Sequence, residues 1–245
     1  MNISVIIPAL NEAPSIARVV EGVVGLVDQV VVVDNGSTDG TGNIARNAGA
    51  DVVLVKEPGY GRSCLAGIKK ASDADIIVFM DGDGADDPTD LNTIIAPILA
   101  NEADFVIGSR LKGIVERGAL TLPQRFGNTL ACVLMRLIWR GSFTDLGPFR
   151  AIRKDALQRL AMNHKTYGWT VEMQVRALKH GLRSIEIPVR YRRRIGVSKI
   201  SGTVKGVILA GGFILGVIFY EAVADLFSRR QTRYSVHALG DVGEK

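Results

Sequence analysis

The apolar run Ile76-Ile77-Val78-Phe79-Met80 ends on Asp81-Gly82-Asp83, and no other stretch constrains the chain as much. A continuous β-branched run reads as a strand buried on both faces, the habit of parallel sheets covered by helices. In open α/β sheets ligands gather at the carboxyl ends of the strands, where these two carboxylates stand. Gly82 and Gly84 let the backbone turn there. Two hard oxygen ligands facing a cleft that also holds phosphates would suit Mg2+ or Mn2+. Taken alone, the same residues also fit a solvated turn rich in Asp and Gly.

Four more apolar runs, Ile3–Ile7, Val30–Val33, Val52–Val55 and Phe105–Ile107, alternate with helix-like stretches at Thr38–Ala48, Gly61–Ala71 and Thr89–Ala100. This is the βαβα order of a mostly parallel, Rossmann-like sheet flanked by helices. Asn11-Glu12-Ala13-Pro14 opens a first helix that continues through Ile16, Val19, Val20 and Val23. The first strand therefore delivers the chain to a helix N-terminus, where an anion or a polar base edge can be received. Beyond residue 120 the pattern changes to helices at Pro123–Trp139, Lys154–Met162 and Trp169–His180, then a strand at Ser184–Val189. That half reads as acceptor-side structure joined to a nucleotide-binding half.

No Pro-rich or Ser-rich linker divides the 245 residues, so one large α/β domain is expected over 1–200. Met1–Pro8 read as its first strand rather than a signal peptide. Cys64 and Cys132 have no metal-ligand spacing and read as buried small hydrophobes in a reducing compartment. His164, His180 and His237 are too scattered for a zinc site or a Ser-His-Asp hydrolase. The formal charge of +5 is concentrated in residues 181–205, where the local net charge is +6. Such a patch suits phosphates or an anionic membrane surface, whereas motifs of common nucleic-acid modules are missing.

The second strand runs into Asp34-Asn35-Gly36-Ser37-Thr38-Asp39-Gly40-Thr41. Asp34 can accept hydrogen bonds from a base or ribose there, Gly36 permits close approach, and Ser37 or Thr38 can cap the next helix. Neither G-x-G-x-x-G nor G-x-x-x-x-G-K-[ST] occurs, which argues against a nicotinamide-binding Rossmann enzyme and a P-loop enzyme.

Ile7-Pro8-Ala9-Leu10-Asn11-Glu12, then Val33 to Thr41, then Met80-Asp81-Gly82-Asp83, in this order and spacing, resemble the family 2 glycosyltransferases of the GT-A fold. Gly108-Ser109-Arg110, Asp145 to Arg150 and Arg194-Ile195-Gly196-Val197-Ser198-Lys199 resemble the branch that acts on polyprenyl phosphates, typified by dolichyl-phosphate mannose synthase. The resemblance spans roughly residues 3 to 200. It implies that Pro8, Ala9, Asn11, Glu12 and Asp34, with Gly36, hold the nucleoside of a nucleotide-sugar donor. Asp81 and Asp83 would hold Mg2+ or Mn2+, with Asp83 among the catalytic residues. Arg110, Arg117, Arg194 and Lys199 would grip donor and acceptor phosphates, Arg194 and Lys199 as part of the catalytic set. Arg150 and Ser198, inside the matching motifs, join the substrate-binding set. Glu172 matches the position of a general base, although an ionised lipid phosphate could attack without one. Glu172 would then orient the acceptor or a cation; as a plain charge it would lie on the partly exposed face of a helix.

Three positions depart from the family pattern. Asn35 stands where many relatives carry a second acid, Pro148 interrupts a Ser-Gly-Phe-Arg-like segment, and Ala85 offers no further metal ligand. Asp86 and Asp87 either replace that ligand or open a turn before Pro88.

Within an apolar interface segment expected over 201–227, the uncharged stretch 206–220 is bounded by Lys205 and Glu221. Fifteen residues make a helix of about 22 Å, short of the ~30 Å hydrocarbon core, so a helix or helical hairpin in the membrane interface is expected. Packing on the domain or on a second subunit, as in a homo-oligomer, is the alternative. Gly212 to Gly216 adds a G-x-x-x-G face, and the polar stretch 228–245 is expected to be disordered.

The function expected is inverting transfer of a hexose from GDP-mannose or a UDP-sugar to a polyprenyl phosphate. The enzyme would work peripherally at the cytoplasmic face of a membrane. A family 2 enzyme acting on a soluble hydroxyl acceptor and a noncatalytic nucleotide-sugar binding module are the alternatives.

Overall fold

A computed structural model describes residues 1–196 and 211–227. Its strands are β1 (Ile3–Ala9), β2 (Gln29–Asp34), β3 (Asp51–Leu54), β4 (Ile76–Phe79), β5 (Phe105–Val115), β6 (Arg150–Arg153) and β7 (Ser184–Tyr191). They form one seven-stranded sheet among the described residues, in the order β3-β2-β1-β4-β6-β5-β7. β1 pairs in parallel with β2 and β4, β2 with β3, and β5 with β7. Only β6 runs antiparallel, between β4 and β5.

The continuous apolar runs have the expected cause. Successive side chains of a strand point to opposite faces, and here both faces are covered. Ile6, Val31, Val33, Ile77 and Phe79 belong to one core, with residues of α3 (Tyr60–Lys70), α5 (Leu122–Trp139), α6 (Lys154–Leu160) and α7 (Trp169–Lys179). Val5, Ile7, Val30, Val32, Ile76 and Val78 belong to the other, with residues of α1 (Ile16–Glu21), α2 (Thr41–Asn47) and α4 (Leu91–Leu99). The expected α/β architecture holds.

Two differences have local causes. β6 reads Arg150-Ala151-Ile152-Arg153, too short and too charged to show as a buried strand in sequence, yet it lies between two neighbours. The first helix begins at Ile16 rather than near Asn11, because residues 11–14 form a turn in which Asn11 takes φ +52°. α5 starts on a capping box, Thr121 with Gln124, just before Pro123.

The helix 211–227 packs back on the domain. Val217 and Ile218 enter the core, and Glu221 pairs with Arg176 and Lys179 of α7. Asp225 pairs with Lys179 and accepts from Trp139 Nε1. Gly212 and Gly216 have nothing pressed against them and border a cavity of about 320 Å³ instead. Among the described residues no helix is long and apolar enough to cross a membrane. The expectations for 197–210 and for the tail 228–245 lie outside the described residues.

Candidate active site

β1, β2 and β4 are mutually parallel, so their carboxyl ends meet at one edge of the sheet. A cleft of about 170 Å³ opens there, lined by Pro8 and Ala9 at the end of β1, Glu12 beyond it, Asn35 after β2, and Asp81 and Asp83 after β4. The strand breaks where the glycines predict. A Cβ at Gly82 would stand 3.3 Å from both Ile16 and Ile7, and Gly84 takes φ +74°.

Arg194 closes the cleft from the far side of the chain. The segment after β7 is tied to the Asp pair by backbone bonds, Ile195 N–H to Asp83 O (2.8 Å) and Arg192 N–H to Ala85 O (2.8 Å). This sets the Arg194 guanidinium 3.3 Å from Asp83 Oδ2 and 3.1 Å from Glu12 Oε1. Tyr60 donates to Asp81 Oδ1 at 3.1 Å. Burial first, then the charge of Asp83, pushes the Asp81 carboxyl up to about 7, against the Tyr60 hydrogen bond and the pull of Arg194 and Arg110. The Asp86 carboxyl is also pushed up, by burial and then by the charges of Asp81 and Asp83. Its Oδ2 accepts from the Asp81 N–H, while its Oδ1 has no hydrogen-bond partner among the described residues. Asp87 caps the turn at Pro88 by accepting from Thr89 N–H. The crowded carboxylates of Asp81 and Asp83 are hard ligands whose repulsion a divalent cation would relieve, so they fit Mg2+ or Mn2+. No group of three or more acidic, His or Cys ligands occurs among the described residues. Phosphate oxygens and water would have to complete the shell.

Several expected residues lie elsewhere. Asp34 turns into the loop after β2, its Oδ1 accepting from Ser37 N–H at 2.8 Å. Asn11 braces the same loop, accepting from Thr38 N–H, and Gly36 supplies its turn at φ +84°. Arg110 is engaged with buried Asp145 through Nε (2.9 Å) and Nη2 (2.7 Å), with its guanidinium 5.0 Å from the Tyr191 ring centre. Arg117 is exposed, and its carbonyl accepts from Arg193.

Arg150 corrects a sequence expectation. It is fully buried and donates to the carbonyls of Leu146, Gly147 and Thr170, so it holds backbone rather than substrate. For Glu172 the structure overturns the alternative of a plain charge on a partly exposed face. It is buried rather than on an exposed face, its oxygens accept from the N–H groups of Asn163 and His164, and it pairs with Arg176. It borders a separate cavity beside the C-terminal helix. Among its described residues, 181–196, the basic stretch is not one free patch either. Arg183 pairs with Asp104, Arg190 with Asp90, Arg192 with Asp87 and Arg193 with Glu116, leaving Arg194 to face the cleft. Ser198 and Lys199 lie outside the described residues.

Tyr60, Pro58, Gly59, Ser63 and Tyr167 line the cleft without having been singled out in the sequence. The turn signal Pro58-Gly59 just before a helix was the clue to the first three. Gly59 and Gly61 are required because a Cβ at either would strike the carbonyls of Lys165 and His164, which brings the Tyr167 turn over the cleft.

The family model described as Glycosyl transferase family 2 matches residues 4–161. An uncharacterized glycosyltransferase of Mycobacterium tuberculosis is 35% identical over 211 residues, covering 85% of this chain and 94% of its own length. Polyprenol monophosphomannose synthase of Mycolicibacterium smegmatis is 32% identical over 218 residues, 81% of each chain. The crystal structure of glucosyl-3-phosphoglycerate synthase from Mycobacterium tuberculosis, with Mn2+, uridine diphosphate and glucosyl-3-phosphoglycerate, superposes with a TM-score of 0.74. It is 22% identical and covers 90% of this chain and 80% of that one. The strand-end cleft thus sits on a fold shared with a solved sugar transferase, and the sequence match settles the rest: the chain belongs to glycosyl transferase family 2.

Proposed function

We propose that this chain is a metal-dependent, inverting glycosyltransferase that moves a hexose from a nucleotide sugar of the GDP-mannose or UDP-glucose type to a polyprenyl phosphate. The observation that carries the reading is Arg194 meeting Asp83 and Glu12 across the cleft that Asp81 lines. Carboxylates and a guanidinium in one cleft can divide the charge of a diphosphate and a second phosphate. Pro8, Ala9 and Asn35 would flank the nucleoside, and Asp81 and Asp83 would hold Mg2+ or Mn2+. When bound, that ion would act as a Lewis acid on the leaving diphosphate. Arg194, freed from Asp83, would turn to phosphate oxygens, with Lys199 and Ser198 as further phosphate contacts.

The acceptor's chemistry removes the need for a base. A phosphate monoester is largely ionised at neutral pH, so its oxygen can attack the anomeric carbon while the bond to the nucleoside diphosphate breaks and the charge leaves with it. The engagement of Glu172 away from the cleft agrees with this. A similar protein is named polyprenol monophosphomannose synthase. The surface supports work at a membrane face. α5 exposes Leu122, Phe126 and Leu137 beside Arg125, Arg136 and Arg140, and the C-terminal helix exposes Phe219, Leu226 and Phe227. Exposed apolar side chains flanked by cations suit an anionic lipid surface, with the protein peripheral on its cytoplasmic side.

The test is a screen of nucleotide sugars with and without Mn2+ and a short polyprenyl phosphate, read by product mass. A lipid-phosphate hexose that requires the metal is expected. Transfer to a soluble alcohol but never to the lipid phosphate would favour the hydroxyl-acceptor reading. Donor binding without any transfer, indifferent to Asp83→Asn, would favour a noncatalytic binding module.

A further inference from the structure

Asp34, the last residue of β2, and Asn35, the first beyond it, have divided roles, and the division was hidden in the sequence. Asp34 faces the turn that follows and the start of α2, where a Cβ at Gly42 would stand 2.7 Å from its Oδ2. Asn35 faces the cleft. Its Nδ2 donates to Val55 O at 3.1 Å and Glu57 O at 2.8 Å, and its Oδ1 accepts from Gly59 N–H at 2.7 Å. Its backbone N–H donates to Ala9 O at 2.9 Å. The amide can sit only one way round, because both carbonyls solely accept and the Gly59 N–H solely donates.

These bonds staple residues 55–59, which belong to no helix or strand, onto the end of β2. The stapled segment leads straight into the cleft wall, since Pro58, Gly59 and Tyr60 line it and Tyr60 donates to Asp81. A movement of the segment would therefore change the shape of the cleft and shift the phenol that braces Asp81. Aspartate has the same shape as asparagine but lacks both N–H donors. It would set a carboxylate oxygen against two carbonyl oxygens, a buried mismatch that costs far more than a hydrogen bond merely absent.

We propose that Asn35 is a positioning residue for the donor: it clamps the 55–59 segment as one wall of the nucleoside end of the cleft, and this chain requires an amide there. The inference rests on the cleft being the nucleotide-sugar site, and it makes Asn35 a determinant of which nucleoside diphosphate fits. The residue acts through Pro58, Gly59 and Tyr60 and does not touch the reacting atoms.

The experiment titrates UDP and GDP with Mn2+ into the full chain and into Asn35→Asp and Asn35→Ala by calorimetry, after circular dichroism has established which variants fold. Donor KM and kcat are then measured for transfer. For whichever nucleotide the unaltered protein binds, Asn35→Asp should raise Kd and donor KM by roughly 10-fold or more, as loss of two hydrogen bonds with a repulsive replacement implies. Asn35→Ala should raise them less, and kcat should change by less than about threefold, because uniform binding is lost and not transition-state contact. Amide exchange at residues 55–60 should accelerate in both variants. Folded variants that bind as the parent does, or that lose kcat at constant KM, would overturn the role of Asn35 alone. A parent protein that binds neither UDP nor GDP would overturn the reading of the cleft and this inference with it.

Discussion

The strand-end cleft and the outward faces of α5 and the C-terminal helix depart from ordinary protein surfaces in opposite directions. In the cleft, charged groups are withdrawn from water: Glu12 and Asp83 are both buried, and Asp86 is buried behind them against the Asp81 N–H. On the helices, large apolar groups are left in water: Leu122 is 82% exposed, Leu137 74%, and Phe126 and Phe219 72% each. Both arrangements are unfavourable in the isolated protein. The first suits a ligand that brings phosphates and a cation, and the second suits an apolar surface. The two regions are therefore expected to fail separately.

The largest effect belongs to the cleft. Asp83→Asn removes one of the paired carboxylates and is expected to cut transfer by about 100-fold or more, in the range seen when transition-state charge loses a preorganised partner. Binding to anionic vesicles should stay within about twofold, because the aliphatic faces are untouched. A variant that lost both together in a sedimentation assay would show that the cleft and the helices act as one unit.

The converse is next in size. Phe126→Glu with Phe219→Glu should weaken vesicle binding by about 10-fold or more, since fully burying a large apolar side chain contributes about 1.5–3 kcal/mol. The Kd for a nucleoside diphosphate should not move. Vesicle binding that persists would place the membrane contact elsewhere or remove it.

How far each region was legible in the sequence follows the same contrast. β1, β2 and β4 could be read because burial on both faces demands unbroken apolar runs, and the glycines around Asp83 announced the break after β4. Pro8, Ala9, Glu12, Asp81, Asp83 and Arg194 were legible as one cleft because short motifs at successive strand ends are held together by the sheet itself. The surroundings of Arg150 and Glu172 were illegible for a common reason. Residue type says that a charge is present, whereas its role depends on whether backbone groups distant in sequence surround it, as Thr170 O surrounds Arg150. Asn35 was noticed only as a missing acid, because its three partners lie 20 to 24 residues away. The outward stripe of α5 was obscured because its opposite face, Asn128, Ala131, Cys132 and Met135, is buried, so the helix carries apolar residues on both sides.

The two regions adjoin at the latch on the C-terminal helix, and the third prediction concerns it. Glu221 accepts from Arg176 at 3.0 Å and Lys179 at 2.6 Å, and Arg176 also pairs with Glu172. Glu221→Gln should loosen the helix by about 1–2 kcal/mol, less than for a wholly buried pair because water reaches the site. Limited proteolysis within 211–227 would register it. Phe213 contacts the rings of His164 and Tyr167, and Tyr167 lines the cleft. Donor affinity that fell in step with proteolytic sensitivity would mean that the helix and the cleft communicate. Unchanged affinity would keep them apart.

The smallest effect tests the electrostatic strain of the cleft without any ligand. Asp81 titrates near 7 in the folded chain against an ordinary value of 3.8, chiefly through burial and then the charge of Asp83. Between those values the folded state holds the proton that the unfolded state has released, so stability must fall as pH rises from about 4 to 7. Asp39, Asp87, Asp104 and Glu221 are shifted down and act oppositely, losing stability as the pH drops below the ordinary carboxylate range. The window between pH 5 and 8 therefore isolates Asp81 and its neighbour Asp86. Since Asp81 itself is only partly buried, the change should amount to only about 1 kcal/mol across it. Melting temperatures of the parent and of Asp81→Asn, measured without metal over that window, should diverge with rising pH, the variant becoming relatively more stable. Adding Mn2+ should narrow the gap by stabilising the parent more at pH 8 than at pH 6, because the cation replaces the proton that the crowded carboxylates otherwise need. Parallel melting curves at every pH would mean that the carboxylates are not strained in the free protein, and the contrast with the apolar faces would then rest on one side alone.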